Sequence, residues 1–289
     1  MVNYLKTVLA LIKYKVSMAV TFTAITGFII YAGNIDFSIL QLAISVFILA
    51  GGSSALNECQ ESKFDAKMNR TRNRPIPSGK ISLGNALIVS LLFIFAGLFL
   101  LYFFFGIIPA LLGLFNIFWY NLLYTNLKRV TPFAVVPGSL VGAVPVLIGW
   151  TASGGFAFDL TIVFIGLFLF IWQVPHFWLL MLKYGKEYEE AGFPTIIRAV
   201  NPENLMKIIY AWIVSTSFSS IAIPLFLEKI SLMFFIAIFA LNITFVVVFT
   251  QLSFGKVSNL NFKKSFISIN VYMFVFMILL IVFHLLPIT

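Results

Sequence analysis

The chain has 289 residues, 61% of them hydrophobic and only 10% charged, where a water-soluble domain averages about 45–50% apolar and about 25% charged. That balance excludes an ordinary soluble domain, and a single cysteine, Cys59, excludes an internal disulfide or a thiolate cage for a metal. The net charge of +9 reads as a membrane-topology signal and not a nucleic-acid footprint, because the cations fall in alternate loops instead of on one face.

Apolar runs of roughly 18 residues or more recur along the chain, each long enough to cross a bilayer as a helix. Nine are predicted, over about 16–33, 38–60, 84–105, 107–127, 133–151, 158–181, 205–227, 231–252 and 265–286, the third and fourth divided only by a turn at Gly106. Taking the N-terminus and every second loop as one side gathers all but Lys229 of the 19 cations. The positive-inside rule then places the N-terminus in the cytoplasm and the C-terminus outside. No cleavable signal precedes the first span, so the expectation is a bacterial plasma membrane, or an organellar protein shown without its presequence. With no long linker, the chain reads as one domain over 1–289: an all-α polytopic membrane protein, a bundle of nine transmembrane helices.

In chain order, the first chemistry lies where the second span ends. Asn57, Glu61 and Asp65 are four residues apart, so a helix stacks them on one face. Polar groups that continue the register of a membrane span point to function. Lys63, Lys67, Arg70, Arg72, Arg74 and Lys80 follow closely. Carboxylates and a carboxamide beside a basic loop suggest a divalent cation carrying an anionic, phosphorylated substrate.

Tyr120, Tyr124 and Lys128 form a similar stripe at the inner end of the fourth span; it reads equally as an interfacial aromatic anchor or as a phosphate-binding lysine flanked by phenols. The sixth span contains Trp172-Gln-Val-Pro-His176-Phe-Trp178, in which Pro175 is expected to kink the helix. A second acidic run, Glu187, Glu189 and Glu190, opens the inner loop predicted over about 182–204. Two acidic runs four helices apart suggest a degenerate duplication around one cavity.

Taken together these motifs resemble the UbiA-type intramembrane prenyltransferases, and within them the protoheme IX farnesyltransferases (haem O synthases). The superfamily pattern N-x-x-x-D-x-x-x-D stands here as Asn57, Glu61 and Asp65, with Glu in the middle. Asp65-Ala-Lys-Met-Asn-Arg70-Thr-Arg-Asn-Arg74-Pro, Tyr124-Thr-Asn-Leu-Lys128-Arg129 and Val136-Pro-Gly-Ser-Leu-Val-Gly-Ala-Val-Pro145 fit as well, and Trp172–Trp178 is the most diagnostic. Val146 stands where a second Pro is common, Thr195 where an apolar residue is usual, and Glu187-Tyr188 where Asp-Tyr is usual.

The resemblance implies transfer of a farnesyl group from farnesyl diphosphate to a vinyl group of haem B, with addition of water, giving haem O. It implies Mg²⁺ held by Asn57, Glu61 and Asp65, with Glu187 at a second ion. Asn57, Glu61, Asp65 and Lys128 would be catalytic; Arg70, Arg74, Lys128 and Tyr124 would bind diphosphate; and His176 would contact haem. The lipid bilayer and a haem A synthase or terminal oxidase assembly are the other expected partners, and nucleic acid is not. A sister prenyltransferase acting on a quinone or another aromatic acceptor stays open as an alternative. A transporter is the remoter one, since transporters tend to place ion sites near mid-membrane and not at one face.

Overall fold

The computed structural model describes residues 2–227, 231–254 and 262–286; Lys229 and Lys256, two of the cations in the topology pattern, lie outside them. Among the described residues there is no strand, and nine helices are long and apolar enough to cross a membrane. After a short α1 (Val2–Leu11) come α2 (Tyr14–Ala32), α3 (Ser38–Asp65), α4 (Leu83–Phe105), α5 (Ile107–Leu127), α6 (Val135–Ala152), α7 (Leu160–Ala191), α8 (Pro202–Phe226), α9 (Leu232–Ser253) and α10 (Phe262–Leu285).

The predicted break at Gly106 is real. Its φ of 83° and ψ of −168° suit a residue without a Cβ, and its N–H closes α4 on the Tyr102 carbonyl. Two helices outrun their apolar windows. α3 has 28 residues and α7 has 32, about 42 and 48 Å at 1.5 Å per residue, against a hydrocarbon core of about 30 Å. The loop expected over about 182–204 therefore begins later. Residues 183–191 complete α7 because Lys and Glu are good helix formers, and Gly192 then stops the helix in the left-handed region, at φ 101°. Pro175 lies within that continuous helix.

Close backbone approach holds the amino-terminal half together. A Cβ at Gly27 of α2 would strike the Val146 carbonyl of α6, and one at Gly149 of α6 would strike the Ala24 carbonyl of α2. Gly52 and Gly97 do the same for α3 and α4. In lipid, such contact supplies the association energy that the hydrophobic effect provides in water. The larger core cluster lies in the other half, around Phe168, Phe249, Tyr272 and Phe276. Phe95, Phe99 and Phe103 of α4 are exposed, as a lipid-facing surface requires.

Candidate active site

Asn57, Glu61 and Asp65 occupy successive turns at the end of α3 and are only 2, 5 and 1% exposed. They line a cavity of about 360 Å³. Each meets a cation from a different segment. Lys13 Nζ donates to Asn57 Oδ1 at 3.0 Å, Lys128 is ion-paired with Glu61, and Arg74 Nη1 donates to Asp65 Oδ2 at 2.7 Å. Buried charges persist in this way only when paired.

The basic loop is folded back over α3 by its own polar groups. Thr71 Oγ1 donates to the Asp65 carbonyl at 2.9 Å, and the buried Glu58 carboxylate accepts from the Ile76 N–H at 3.1 Å. Arg74 is thereby turned inward. Its charge is stabilised further: burial works against it, but Asp65 outweighs burial and raises the guanidinium's pKa. Arg70 points instead to α7. Its Nη2 donates to the Tyr188 hydroxyl at 2.6 Å, its backbone N–H donates to Glu187 Oε2 at 3.2 Å, and its guanidinium lies 5.0 Å from the Tyr184 ring centre. Arg70 and Tyr188 line the cavity; Glu187, one residue earlier, does not.

Across the cavity, the end of α5 opens into a π-helical turn over Phe118–Tyr124, an irregularity often found at functional sites. Polar pairs fasten it to α3 turn by turn. Ser53 Oγ donates to Asn121 Oδ1 at 2.6 Å, and Asn57 Nδ2 donates to Thr125 Oγ1 at 3.1 Å. Tyr120 and Tyr124 stack with ring centres 6.0 Å apart and face the cavity. Lys128 sits 5.5 Å from the Tyr124 ring centre and 5.7 Å from that of Phe193. Burial lowers the Lys128 pKa against the opposing pull of Glu61.

Lys13 enters this group without any mark in the sequence beyond its charge. It joins α1 to α2 with φ 47° and ψ 54°, the one non-glycine residue at positive φ among the described residues. That conformation is costly for a side-chain-bearing residue and persists only where its surroundings fix it. Burial, helped by the Arg74 charge and countered by Glu61, pulls its pKa down to about 8.

His176 stands apart from these groups. Its ring lies among those of Trp172, Phe177 and, on α10, Phe266, with centres 4.9, 5.6 and 4.8 Å away. Its Nδ1 is buried without a hydrogen-bond partner among the described residues, and it is not part of the cavity wall. Thus Asn57, Glu61, Asp65, Arg70, Arg74, Tyr124 and Lys128 share one cavity, and Glu187 and His176 do not line it.

Among the described residues no three His, Cys, Asp or Glu side chains form a metal-sized group. The cavity's set is two carboxylates and a carboxamide. These are hard oxygen donors of the kind that suit a Mg²⁺ ion which keeps some of its ligands as water or phosphate. An ion bound there would compete with Lys13, Arg74 and Lys128 for these oxygens.

The sequence pattern of the UbiA prenyltransferase family matches residues 20–278. A relative from Nitratidesulfovibrio vulgaris (strain DP4), called protoheme IX farnesyltransferase, is 32% identical over 216 residues, 75% of each chain. One of the same name from Bartonella bacilliformis is 39% identical over 212 residues, 70% of this chain and 66% of its own. A structure of digeranylgeranylglyceryl phosphate synthase superposes with a TM-score of 0.78 over 99% of both chains at 20% identity. A UbiA homolog from Archaeoglobus fulgidus, bound to GPP and Mg²⁺, does so at 0.70 over 96% of this chain and 99% of its own, at 15% identity. At these identities the two structures speak for the fold alone, whereas the pattern match spans most of the sequence. The chain belongs to the UbiA prenyltransferase family.

Proposed function

We propose that this protein transfers the farnesyl group of farnesyl diphosphate to a vinyl group of haem B, with addition of water, giving haem O and diphosphate. The acceptor rests on the protoheme IX farnesyltransferases at 32 and 39% identity. The donor rests on one observation: a single cavity joins an ionic mouth, formed by Lys13, Asn57, Glu61, Asp65, Arg74 and Lys128, to an apolar interior that includes Val46, Leu49 and Ile148. A diphosphate with a prenyl tail has that same division of charge and oil.

Asn57, Glu61 and Asp65 are the proposed Mg²⁺ ligands, with Glu187 at a second ion. Bound there, Mg²⁺ supplies the charge neutralisation that makes diphosphate a competent leaving group. Glu187 Oε2 accepts from the Arg70 N–H, which leaves its Oε1 for such an ion. Arg70, Arg74 and Lys128, with the Tyr124 hydroxyl, receive the phosphate oxygens through charge-assisted hydrogen bonds that strengthen as the C–O bond breaks. The Tyr120, Tyr124 and Phe177 rings shield the allylic cation from water and stabilise it through their faces. His176 contacts haem from the side of α10, a role consistent with its unpartnered Nδ1.

The protein works as one prenyltransferase domain in a bacterial plasma membrane, with the ionic mouth and N-terminus on the cytoplasmic side and the C-terminus outside. Haem A synthase or a terminal oxidase assembly receives its product. Extraction of haems from membranes with and without the protein, resolved by mass, tests the reading. Appearance of farnesylated, hydrated haem supports it; haem B alone, with the protein inserted and both substrates supplied, overturns it.

A further inference from the structure

The cavity wall carries polar side chains that the proposed chemistry above does not use, Gln173 and Asn116 among them. Gln173 lies on α7, one turn deeper than Phe177, whose ring contacts Tyr124 at 6.4 Å between centres. It lines the cavity beside Val141, Pro145, Phe177 and Met181, and its carboxamide makes no hydrogen bond among the described residues. The amide offers two donors and an acceptor to the cavity, and polar groups at membrane depth usually serve a ligand.

Its placement is built. A Cβ on Gly142 of α6 would fall on the Gln173 carboxamide, Oε1 first, then Cδ and Nε2. A bare Cα at position 142 is therefore what lets the amide sit against α6 at this point of the cavity wall. Asn116 of α5 lines the same cavity, and its buried Oδ1 also lacks a partner. An ordered water needs about two to four polar partners, and Gln173 and Asn116, with Ser53 and Ser54, are polar side chains on the cavity wall that can offer them.

Resting on the reaction proposed above, we infer that Gln173, seated against Gly142, positions the water molecule that completes the product. When the farnesyl C1–O bond breaks, the electron pair leaves with diphosphate. The vinyl π pair then forms the new carbon–carbon bond to C1 and leaves a positive charge on the vinyl carbon attached to the porphyrin ring. A water oxygen held on Gln173 donates its lone pair to that carbon, and the water's proton passes to diphosphate. Gln173 is a positioning residue and neither gains nor loses a proton. Without the oriented water, the same cation sheds a proton from its neighbouring CH₂ and gives an alkene, lighter than the hydroxylated haem by one water.

The test is the ratio of these two products, made by the purified full-length protein from haem B and farnesyl diphosphate and extracted at neutral pH. Gln173→Leu removes the amide, and Gly142→Ala displaces it while leaving Gln173 in place. Both are expected to shift the hydroxylated-to-alkene ratio toward alkene by about tenfold or more, the effect of one lost hydrogen bond. A general packing defect lowers both products together and does not move the ratio. An unchanged ratio in Gln173→Leu overturns the inference. Should Gln173→Leu make no product, Gly142→Ala decides in the same way, and an unchanged ratio there overturns it. Failure of the unaltered protein to farnesylate haem at all refutes the parent reading, and is recognised by the absence of both products.

Discussion

Two polar clusters lie buried in this bundle, and they are satisfied in opposite ways. In the carboxyl-terminal half, Tyr272 donates to Ser220 Oγ at 2.8 Å, Ser220 donates on to Asn242 Oδ1 at 2.9 Å, and Ser217 Oγ donates to the same oxygen at 2.7 Å. The Asn242 amide closes on the Ile238 carbonyl at 2.8 Å. That cluster is neutral, tied across α8, α9 and α10, and complete without a ligand. The cluster at the end of α3 is charged, its partners arrive from separate segments, and it opens on a cavity. Hydrogen bonds between membrane helices lock them together, whereas intramembrane ionisable groups mark functional sites. A lock is closed by its own atoms; a site holds partners that can be exchanged for substrate.

The contrast breaks first at Asp65. Asp65→Ala is expected to lower haem O formation by at least about 100- to 1,000-fold, the scale of removing one electrostatic stabiliser from a transition state. The check is haem O extracted per amount of protein inserted in the membrane, and retained turnover removes Asp65 from the site. Lys13→Met comes next, with KM for farnesyl diphosphate rising by about 10- to 100-fold, the value of a hydrogen bond to a charged group. An unchanged KM would reduce Lys13 to a topology charge. His176→Ala is expected to raise the KM for haem by about tenfold, one hydrogen bond's worth, and to leave that for farnesyl diphosphate nearly as it was. Equal losses for both substrates would mark His176 as a packing residue of the α7–α10 contact.

The part of this picture legible in the sequence is the part set by local periodicity. Runs of about 20 apolar residues specify spanning helices, and the four-residue spacing of Asn57, Glu61 and Asp65 specifies one helix face; all three lie on the cavity wall. What was not legible depends on contacts between distant segments. Lys13 meets Asn57 across 44 residues, and nothing near position 13 announces it. Tyr120, Tyr124 and Lys128 show α-helical spacing, yet the backbone there is a π turn held by Ser53 and Asn121. Glu187 and Tyr188 read as one motif, but neighbours on a helix are rotated by about 100°. Tyr188 therefore lines the cavity while Glu187 meets the Arg70 N–H outside it. Gln173 lies in the most diagnostic stretch of the chain, three residues before His176, with no mark in the sequence to set it apart. Its significance depends on Gly142, on another helix.

The smallest effect belongs to the neutral cluster and sharpens the contrast most. Tyr272→Phe deletes the hydroxyl that donates to Ser220 and leaves the ring, which stacks on Phe245 with centres 4.0 Å apart, in place. Ser220 and Asn242 keep each other as partners, so no buried carbonyl is stranded. Such interhelical hydrogen bonds average about 0.6 kcal/mol and reach about 1.7 kcal/mol in membrane proteins. A fall in unfolding free energy within that range is expected in a reversible denaturant titration in mixed micelles. Turnover at a temperature where both proteins are folded should be unchanged, because no atom of the cluster lines the cavity. Should Tyr272→Phe instead lose turnover at full stability, the neutral cluster is coupled to the chemistry, and the division between lock and site fails at its quieter end.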